Sequence, residues 1–348
     1  MSLTKARPAK KIFRAGIVGC GRIASSFDLD PRRKYVATHA GAYSNSPSVK
    51  LISACDIDEQ KLEEFSSRWK VKKLYQDLDE MLSKEDLDIL SICTWPSTHY
   101  GLAKTAVEHG VKALFCEKPI TDDLSKADEL VDLCERRGVL LVVNHSRRWD
   151  PGHQRIKKFL ESGRLGRILQ VQCYYTAGLA NTGTHLFDLL RLFLGEADWV
   201  RANPAPSFGE KDLTLSGQIF FKNGALTTVS GLDVGNYLIF EIDFYGTKGR
   251  FRVKDSGFGL EYWKIGPSPY FPGYQELVPA SLPIDLKEKN MMTHAVSDLV
   301  SCLRRGGRPL SNGNDGRQSL EIICAFYESF RSGSRIELPL KNRNITIP

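Results

Sequence analysis

The sequence predicts two domains: an α/β domain with a parallel sheet over residues 1–146, and an α+β domain with a mainly antiparallel sheet over 147–348. Three observations predict this. The chain has 348 residues, more than the roughly 100–200 of a single domain. Up to about residue 145, short apolar runs alternate with amphipathic stretches, the rhythm of βαβ units. Beyond that point, turn signals separate consecutive strand-like runs.

Each element has its own signal. Phe13–Val18 and Val49–Cys55 read as strands, the first ending in glycines and the second at Asp56. A polar helix follows from Asp58 to Trp69, and Leu87–Cys93 reads as a third strand. Thr98–His109 places Leu102, Ala103, Ala106 and Val107 on one helical face and stops at Gly110. Val111–Cys116 is a strand, Thr121 is the expected N-cap of a helix that ends at Gly138, and Val139–Val143 closes the series. Runs this apolar suit strands covered on both faces. In the second half, helices are expected at Pro151–Ser162, Thr184–Leu194, Met291–Leu303 and Arg317–Phe330. Strands are expected at Ile168–Tyr175, Leu213–Phe221, Ala225–Ser230, Tyr237–Tyr245 and Arg250–Val253. Asn223-Gly224 is a hairpin signal, because glycine accepts the positive φ of a tight turn. Residues 254–288, rich in Gly, Pro and Tyr, read as a long loop.

Composition excludes several classes. A hydrophobic fraction of 42% and a charged fraction of 26% are those of a globular protein, not a disordered chain, a collagen or a coiled coil. No apolar run approaches the ~18 residues of a membrane span, and no secretory leader or membrane partner is expected. Lys5, Arg7, Lys10, Lys11 and Arg14 supply most of the net charge of +7. They form a basic N-terminal tail read as solvated, so no nucleic-acid partner is expected. Eight cysteines without a Cys-x-x-Cys pair read as buried thiols in a reducing compartment, hence a cytoplasmic location. The seven histidines show no metal-ligand spacing, and no metal is expected.

The chemistry begins at Gly19-Cys20-Gly21-Arg22-Ile23-Ala24, which matches Gly-x-Gly-x-x-Gly/Ala between a strand and a helix. Gly19 permits the tight turn, Gly21 lets backbone amides approach a pyrophosphate, and Ala24 lets helix and strand pack closely. Asp56 ends the second strand, where a carboxylate accepts bonds from ribose hydroxyls and repels a 2′-phosphate, favouring NAD over NADP. The separation of 35 residues from Gly21 to Asp56 exceeds the usual spacing of about 20. Phe27–Thr38 therefore reads as an insertion interrupting the first helix, its Arg32, Arg33 and Lys34 either reaching a phosphate or solvated.

The glycine motif, Ala54-Cys55-Asp56, Trp95-Pro96-Ser97-Thr98-His99, Cys116-Glu117-Lys118-Pro119 and Gly183-Thr184-His185-Leu186-Phe187-Asp188 follow one another in the order of a known family. The chain resembles the glucose-fructose oxidoreductase / inositol dehydrogenase / MocA family over nearly its whole length. The resemblance implies an N-terminal Rossmann domain and a C-terminal domain built on a large, open, mainly antiparallel sheet that mediates a homodimer or homotetramer. It implies NAD or NADP as cofactor and a sugar-like small-molecule substrate.

Carried over by position, Lys118 lies near the nicotinamide and the substrate hydroxyl. A lysine after an apolar strand sits at the carboxyl end of the sheet, where a partly desolvated ammonium can relay protons; the alternative is a surface lysine. By the same resemblance Glu117 contacts cofactor ribose or orients Lys118, and Gly19, Gly21, Arg22, Ile23, Asp56, Trp95, Pro96 and His99 line the cofactor crevice. His99 is equally readable as a helix-start residue. His185, at the head of a very apolar helix, is the candidate general base. Asn181 stands where many members carry Asp and can bond a substrate hydroxyl or orient the imidazole. Asp188, a helical turn beyond His185, either orients it or is exposed. Arg148 is a candidate substrate ligand, with pairing to an acid as the alternative.

Three activities fit this pattern. The first is an NAD-dependent dehydrogenase acting on a secondary alcohol of a sugar, polyol or nucleotide sugar. The second is a glycoside hydrolase that recycles bound NAD, and the third a non-catalytic dinucleotide-binding regulator. The presence of both Lys118 and His185 argues against the third.

Overall fold

A computed structural model describes residues 11–203, 208, 209, 211–282, 284 and 290–348. Most of the basic N-terminal tail, Lys5, Arg7 and Lys10 included, lies outside the described residues. The chain forms two compact units. The first comprises the chain up to Glu117, Asp132–Val142 and Asn290–Leu310. The second comprises Lys118–Val131, the described residues of Val143–Lys289, and Ser311–Pro348. The helix Met291–Arg305 groups with the first unit.

The first unit contains a six-stranded sheet ordered β3-β2-β1-β4-β5-β6. Its strands are β1 (Phe13–Val18), β2 (Val49–Cys55), β3 (Lys73–Tyr75), β4 (Ile89–Ile92), β5 (Ala113–Cys116) and β6 (Leu140–Val143). β1 pairs parallel with both β2 and β4, so the strand order reverses there. In such sheets the crevice beyond the carboxyl ends at the reversal is the usual ligand position. β4 and β5 are buried at every residue, as strands covered on both faces must be. The helices are capped as local chemistry demands. Asp58 caps Glu59–Trp69, and Gly110 and Gly138 terminate their helices at positive φ. The expected cap at Thr121 is displaced. Asp123 Oδ1 accepts from Ser125 N (2.8 Å) and Lys126 N (3.1 Å), so the carboxylate caps Leu124–Arg137 and Thr121 only braces the preceding turn.

The second unit contains a nine-stranded sheet ordered β14-β13-β12-β11-β7-β10-β9-β8-β15. Its strands are β7 (Ile168–Tyr175), β8 (Ala197–Ala202), β9 (Gly217–Phe221), β10 (Leu226–Gly231), β11 (Phe240–Gly246), β12 (Gly249–Lys254), β13 (Gly259–Pro267), β14 (Gln275–Pro279) and β15 (Ile336–Glu337). Only the β7–β10 pair is parallel among the registers described; the rest are antiparallel. Alternating burial along β9, β10 and β12 marks a sheet with one covered face. Stacked Phe187 and Phe326, 5.1 Å apart, join the helices Thr184–Leu194 and Gly313–Ser332 in its core.

The stretch expected as a loop, 254–288, instead contains β13 and β14. Their side chains are largely half-buried or exposed, so no apolar run announces them. Backbone pairing of β13 to β12 and of β14 to β13 makes the strands, and Pro267 and Pro279 stand at their ends, where a missing N–H is tolerated. Conversely, the strand expected from Leu213 begins only at Gly217. Residues 213 and 214 are diverted: Leu213 N donates to Tyr327 Oη (3.1 Å) and Thr214 Oγ1 accepts from Gly178 N (2.8 Å).

Candidate active site

The first unit carries the glycine turn. Gly19 has φ +86°, and a Cβ there would meet the Cys93 carbonyl carbon at 2.8 Å, so the fold itself requires glycine. Gly21 differs: a Cβ there would meet nothing within 4 Å, and its φ is not positive. The open space beside Gly21 is what close approach of a pyrophosphate needs. Asp56 reaches the same turn. Its Oδ2 accepts from Cys20 N (2.7 Å) and its Oδ1 from Asp58 N (3.0 Å), which leaves lone pairs for ribose hydroxyls. The donor set therefore fits a dinucleotide.

The helix after Gly21 is interrupted, as the spacing predicts. Residues 22–25 make one turn, Ser26–Leu29 is a 3-10 segment, and His39–Ser44 resumes the helix. His39 N and Ala40 N donate to the carbonyls of Ile23 and Ala24, so the hydrogen-bond ladder continues across the insertion. Asp28 closes the excursion by accepting from Ala37 N (2.7 Å) and Thr38 Oγ1 (2.6 Å). Arg22 and Arg33 stack on Phe27, and Arg32 pairs with Asp30 while remaining solvated.

Trp95 is 80% exposed and precedes Pro96, the first residue of the helix Pro96–Glu108. His99 is fully buried and directs Nε2 at the Thr94 carbonyl (3.1 Å). It stands in the first turn of that helix. Glu117 is buried, and its Oε1 meets His39 Nε2 at 2.9 Å. His39 Nδ1 meets Ser91 Oγ (2.9 Å), which in turn meets Tyr43 Oη (2.6 Å). His39 lies in no motif, and nothing in the sequence marks it as Glu117's partner.

The second unit carries Lys118, Asn181 and His185. Lys118 Nζ donates to the backbone carbonyl of Asn181 (2.8 Å) and to its side-chain Oδ1 (3.3 Å). Asn181 belongs to a π-helical turn, Gly178–Gly183, entered through two left-handed residues, Ala177 (φ 63°) and Gly178 (φ 84°). Such turns are rare and favour functional sites. His185 follows in the helix Thr184–Leu194, and its Nδ1 is buried with no hydrogen-bond partner among the described residues. Burial holds the imidazole pKa well below its ordinary value, and the nearby charges of Arg147, Lys118 and His145 add to this. The ring is therefore neutral at pH 7, able to accept a proton.

Asp188 neither orients His185 nor is exposed. It is buried, and both carboxylate oxygens accept from Arg148 Nε at 2.9 Å. Arg148 also meets Asp315 (3.1 Å), and His145 Nδ1 lies 3.5 Å from Asp188. Burial raises the Asp188 carboxyl pKa, but His145 and Arg148 outweigh it and the net shift is downward. His145 Nε2 touches Thr184 Oγ1 (3.2 Å), and its ring stands edge-on to His185, 6.1 Å away. Arg148 is buried at 6% exposure and paired with two carboxylates, which disfavours the expected contact with substrate and fits a brace behind the helix bearing His185. Among the described residues, no group of three or more His, Cys, Asp or Glu side chains could hold a metal, and no helix is long and apolar enough to cross a membrane.

A sheet ordered 3-2-1-4-5-6 and a glycine turn with a carboxylate on it define a dinucleotide-binding Rossmann unit. Comparison with known families agrees. Residues 13–145 match the "Oxidoreductase family, NAD-binding Rossmann fold" and residues 157–338 the "Oxidoreductase family, C-terminal alpha/beta domain". The chain belongs to the glucose-fructose oxidoreductase / inositol dehydrogenase / MocA family. It is similar to a D-apiose dehydrogenase of Paraburkholderia graminis, 26% identical, with 94% of this chain and 90% of the relative covered. An inositol 2-dehydrogenase of Burkholderia cenocepacia is 29% identical over 52% of this chain and 54% of its own. Among solved structures, the WlbA dehydrogenase from Bordetella pertussis in complex with NADH and UDP-GlcNAcA superposes with a TM-score of 0.78 at 25% identity, covering 95% of this chain and 100% of that one.

Proposed function

We propose that the protein is an NAD-dependent dehydrogenase of a secondary alcohol on a sugar, polyol or nucleotide sugar, with Lys118 and His185 as its acid–base pair. One observation carries the reading: the buried, neutral His185 Nδ1 has no hydrogen-bond partner among the described residues. A buried polar atom left this way in a folded protein calls for a partner supplied from outside.

The dinucleotide is held by Gly19, Gly21 and the backbone of Arg22 and Ile23, with Asp56 on the adenosine ribose. Trp95, Pro96 and Glu117 complete its surroundings. When bound, the nicotinamide accepts or returns the hydride. His185 takes the hydroxyl proton. Lys118, its ammonium held on Asn181, donates a hydrogen bond to the same oxygen and supports the charge that grows there. Asn181 holds no charge, so its contribution is placement of the lysine and a hydrogen bond to substrate. Arg148 keeps Asp188 and the helix behind His185 in place.

The relatives named above are a D-apiose dehydrogenase, an inositol 2-dehydrogenase and a dehydrogenase in complex with UDP-GlcNAcA, which supports the substrate class. Eight free cysteines, seven of them buried, support a reducing, cytoplasmic location. Exposed Leu169, Tyr245 and Ile265 on the large sheet support a homodimer or homotetramer formed through it.

The test is incubation with NAD and a panel of aldoses, inositols and nucleotide sugars, following NADH absorbance, with Lys118→Ala as control. NADH formation that requires both a panel compound and Lys118 is the expected result. Product formation without NADH would overturn it in favour of a hydrolase that recycles its cofactor.

A further inference from the structure

Asn181 places Lys118, and something must place Asn181. The residues that do so come from a segment that no motif marks. Asp212 Oδ1 accepts from Ala180 N (2.9 Å) and Asp212 Oδ2 from Asn181 N (2.9 Å). A third donor, Tyr327 Oη, lies 3.4 Å from Oδ1. Tyr327 is buried on the helix Gly313–Ser332 and accepts from Leu213 N (3.1 Å), so the loop bearing Asp212 is tied to the core at the next residue. The carboxylate also fills the space in front of Gly178: a Cβ at that position would collide with it. The turn is entered through Ala177, a non-glycine residue in the strained left-handed region. Two charge-assisted bonds from its backbone to Asp212 help to hold it closed, beside those of Gly178 N to Thr214 Oγ1 and Leu179 N to the Leu213 carbonyl.

We infer that Asp212 is a positioning residue for the reaction, fixing the Lys118 ammonium through the backbone of Asn181. The link is continuous. Asp212 accepts the N–H of Asn181, and the carbonyl of that same residue accepts from Lys118 Nζ at 2.8 Å. This also accounts for an uncharged residue at 181. The carboxylate lies beneath the turn at position 212, where it orients the lysine's acceptor. The inference deepens the function proposed above and rests on Lys118 being the acid–base lysine.

The test reads Lys118 directly and needs no substrate. Purified full-length protein, Asp212→Asn and Tyr327→Phe are each labelled with trace acetic anhydride across the neutral to alkaline range. Mass spectrometry then quantifies acetylation of Lys118 against every other lysine. Lys118 acts electrostatically on His145 and His185, and both residues are unchanged in the two variants. Loss of the carboxylate loosens the acceptor and removes a negative charge, so Lys118 gives up its proton more readily. The expected result is about threefold faster labelling of Lys118 in Asp212→Asn, with other lysines unaltered. Tyr327→Phe gives a smaller change of the same sign and decides the matter alone should Asp212→Asn fail to fold. Wild-type labelling of Lys118 in the folded variants would overturn the inference. The function itself fails on a different result, full NADH formation by Lys118→Ala, so the two failures are distinguishable.

Discussion

Asp56 and Cys20 stand 36 residues apart in the chain and are joined by a hydrogen bond of 2.7 Å from the Cys20 N–H to Asp56 Oδ2. One carboxylate thereby stiffens the glycine turn from below while keeping acceptor capacity free. Asp56→Ala should weaken NAD binding about tenfold, the loss of one charge-assisted hydrogen bond of about 1.5 kcal/mol, and should narrow the preference for NAD over NADP. Isothermal titration with both dinucleotides checks this; an unchanged ratio would remove Asp56 from the ribose site.

The two glycines of the turn should separate folding from binding. Gly19→Ala puts a Cβ against the Cys93 carbonyl at φ +86° and should destabilise by about 2 kcal/mol. Gly21→Ala meets only open space. It should leave the melting temperature unchanged and still raise the Kd for NAD. Thermal melts and titrations on the two variants read these outcomes independently.

Lys118→Ala and His185→Ala should each lower kcat by about two to four orders of magnitude, with the Kd for NAD little altered. The pH profile has a stated sign. The folded pKa of His185 is depressed by burial first and neighbouring positive charge second. Oxidation should therefore stay active as pH falls past the ordinary histidine value of about 6.5, and decline only well below it. An acid limb centred at the ordinary value would assign the base to another group.

Asp188→Asn leaves Arg148 buried with one carboxylate partner fewer and should cost about 3 kcal/mol in urea unfolding at neutral pH. The Asp188 carboxyl has a lowered folded pKa, so its stabilisation is present above the unfolded carboxylate pKa and is lost as pH falls through the folded value. The gap between variant and wild type should therefore shrink in acid; a constant gap would mean that packing, not charge, is what the substitution removes.

Local pattern carried most of the first unit. The apolar runs of β1, β2, β4 and β5, the Gly110 and Gly138 stops and the interrupted helix at Phe27–Thr38 were all readable, because each depends on burial or backbone conformation within a few residues. The β13–β14 pair escaped because its side chains are not buried; its stability lies in the backbone ladders β12–β13 and β13–β14, to which composition is blind. Asp123 displaced Thr121 as cap through a competition between two good cappers that only backbone geometry resolves.

The site divides the same way. The sequence by itself determined the glycine turn, the carboxylate at the end of β2, and the presence of a lysine and a histidine of the right kinds, since these are residue identities at fixed positions along elements. Tertiary structure alone decided their partners: Glu117 with His39, Arg148 with Asp188 and Asp315, Asn181 with Asp212. Each of these pairs brings together residues distant in sequence, and the strength and direction of an electrostatic contact depend on separation in space and on burial, neither of which spacing along the chain encodes.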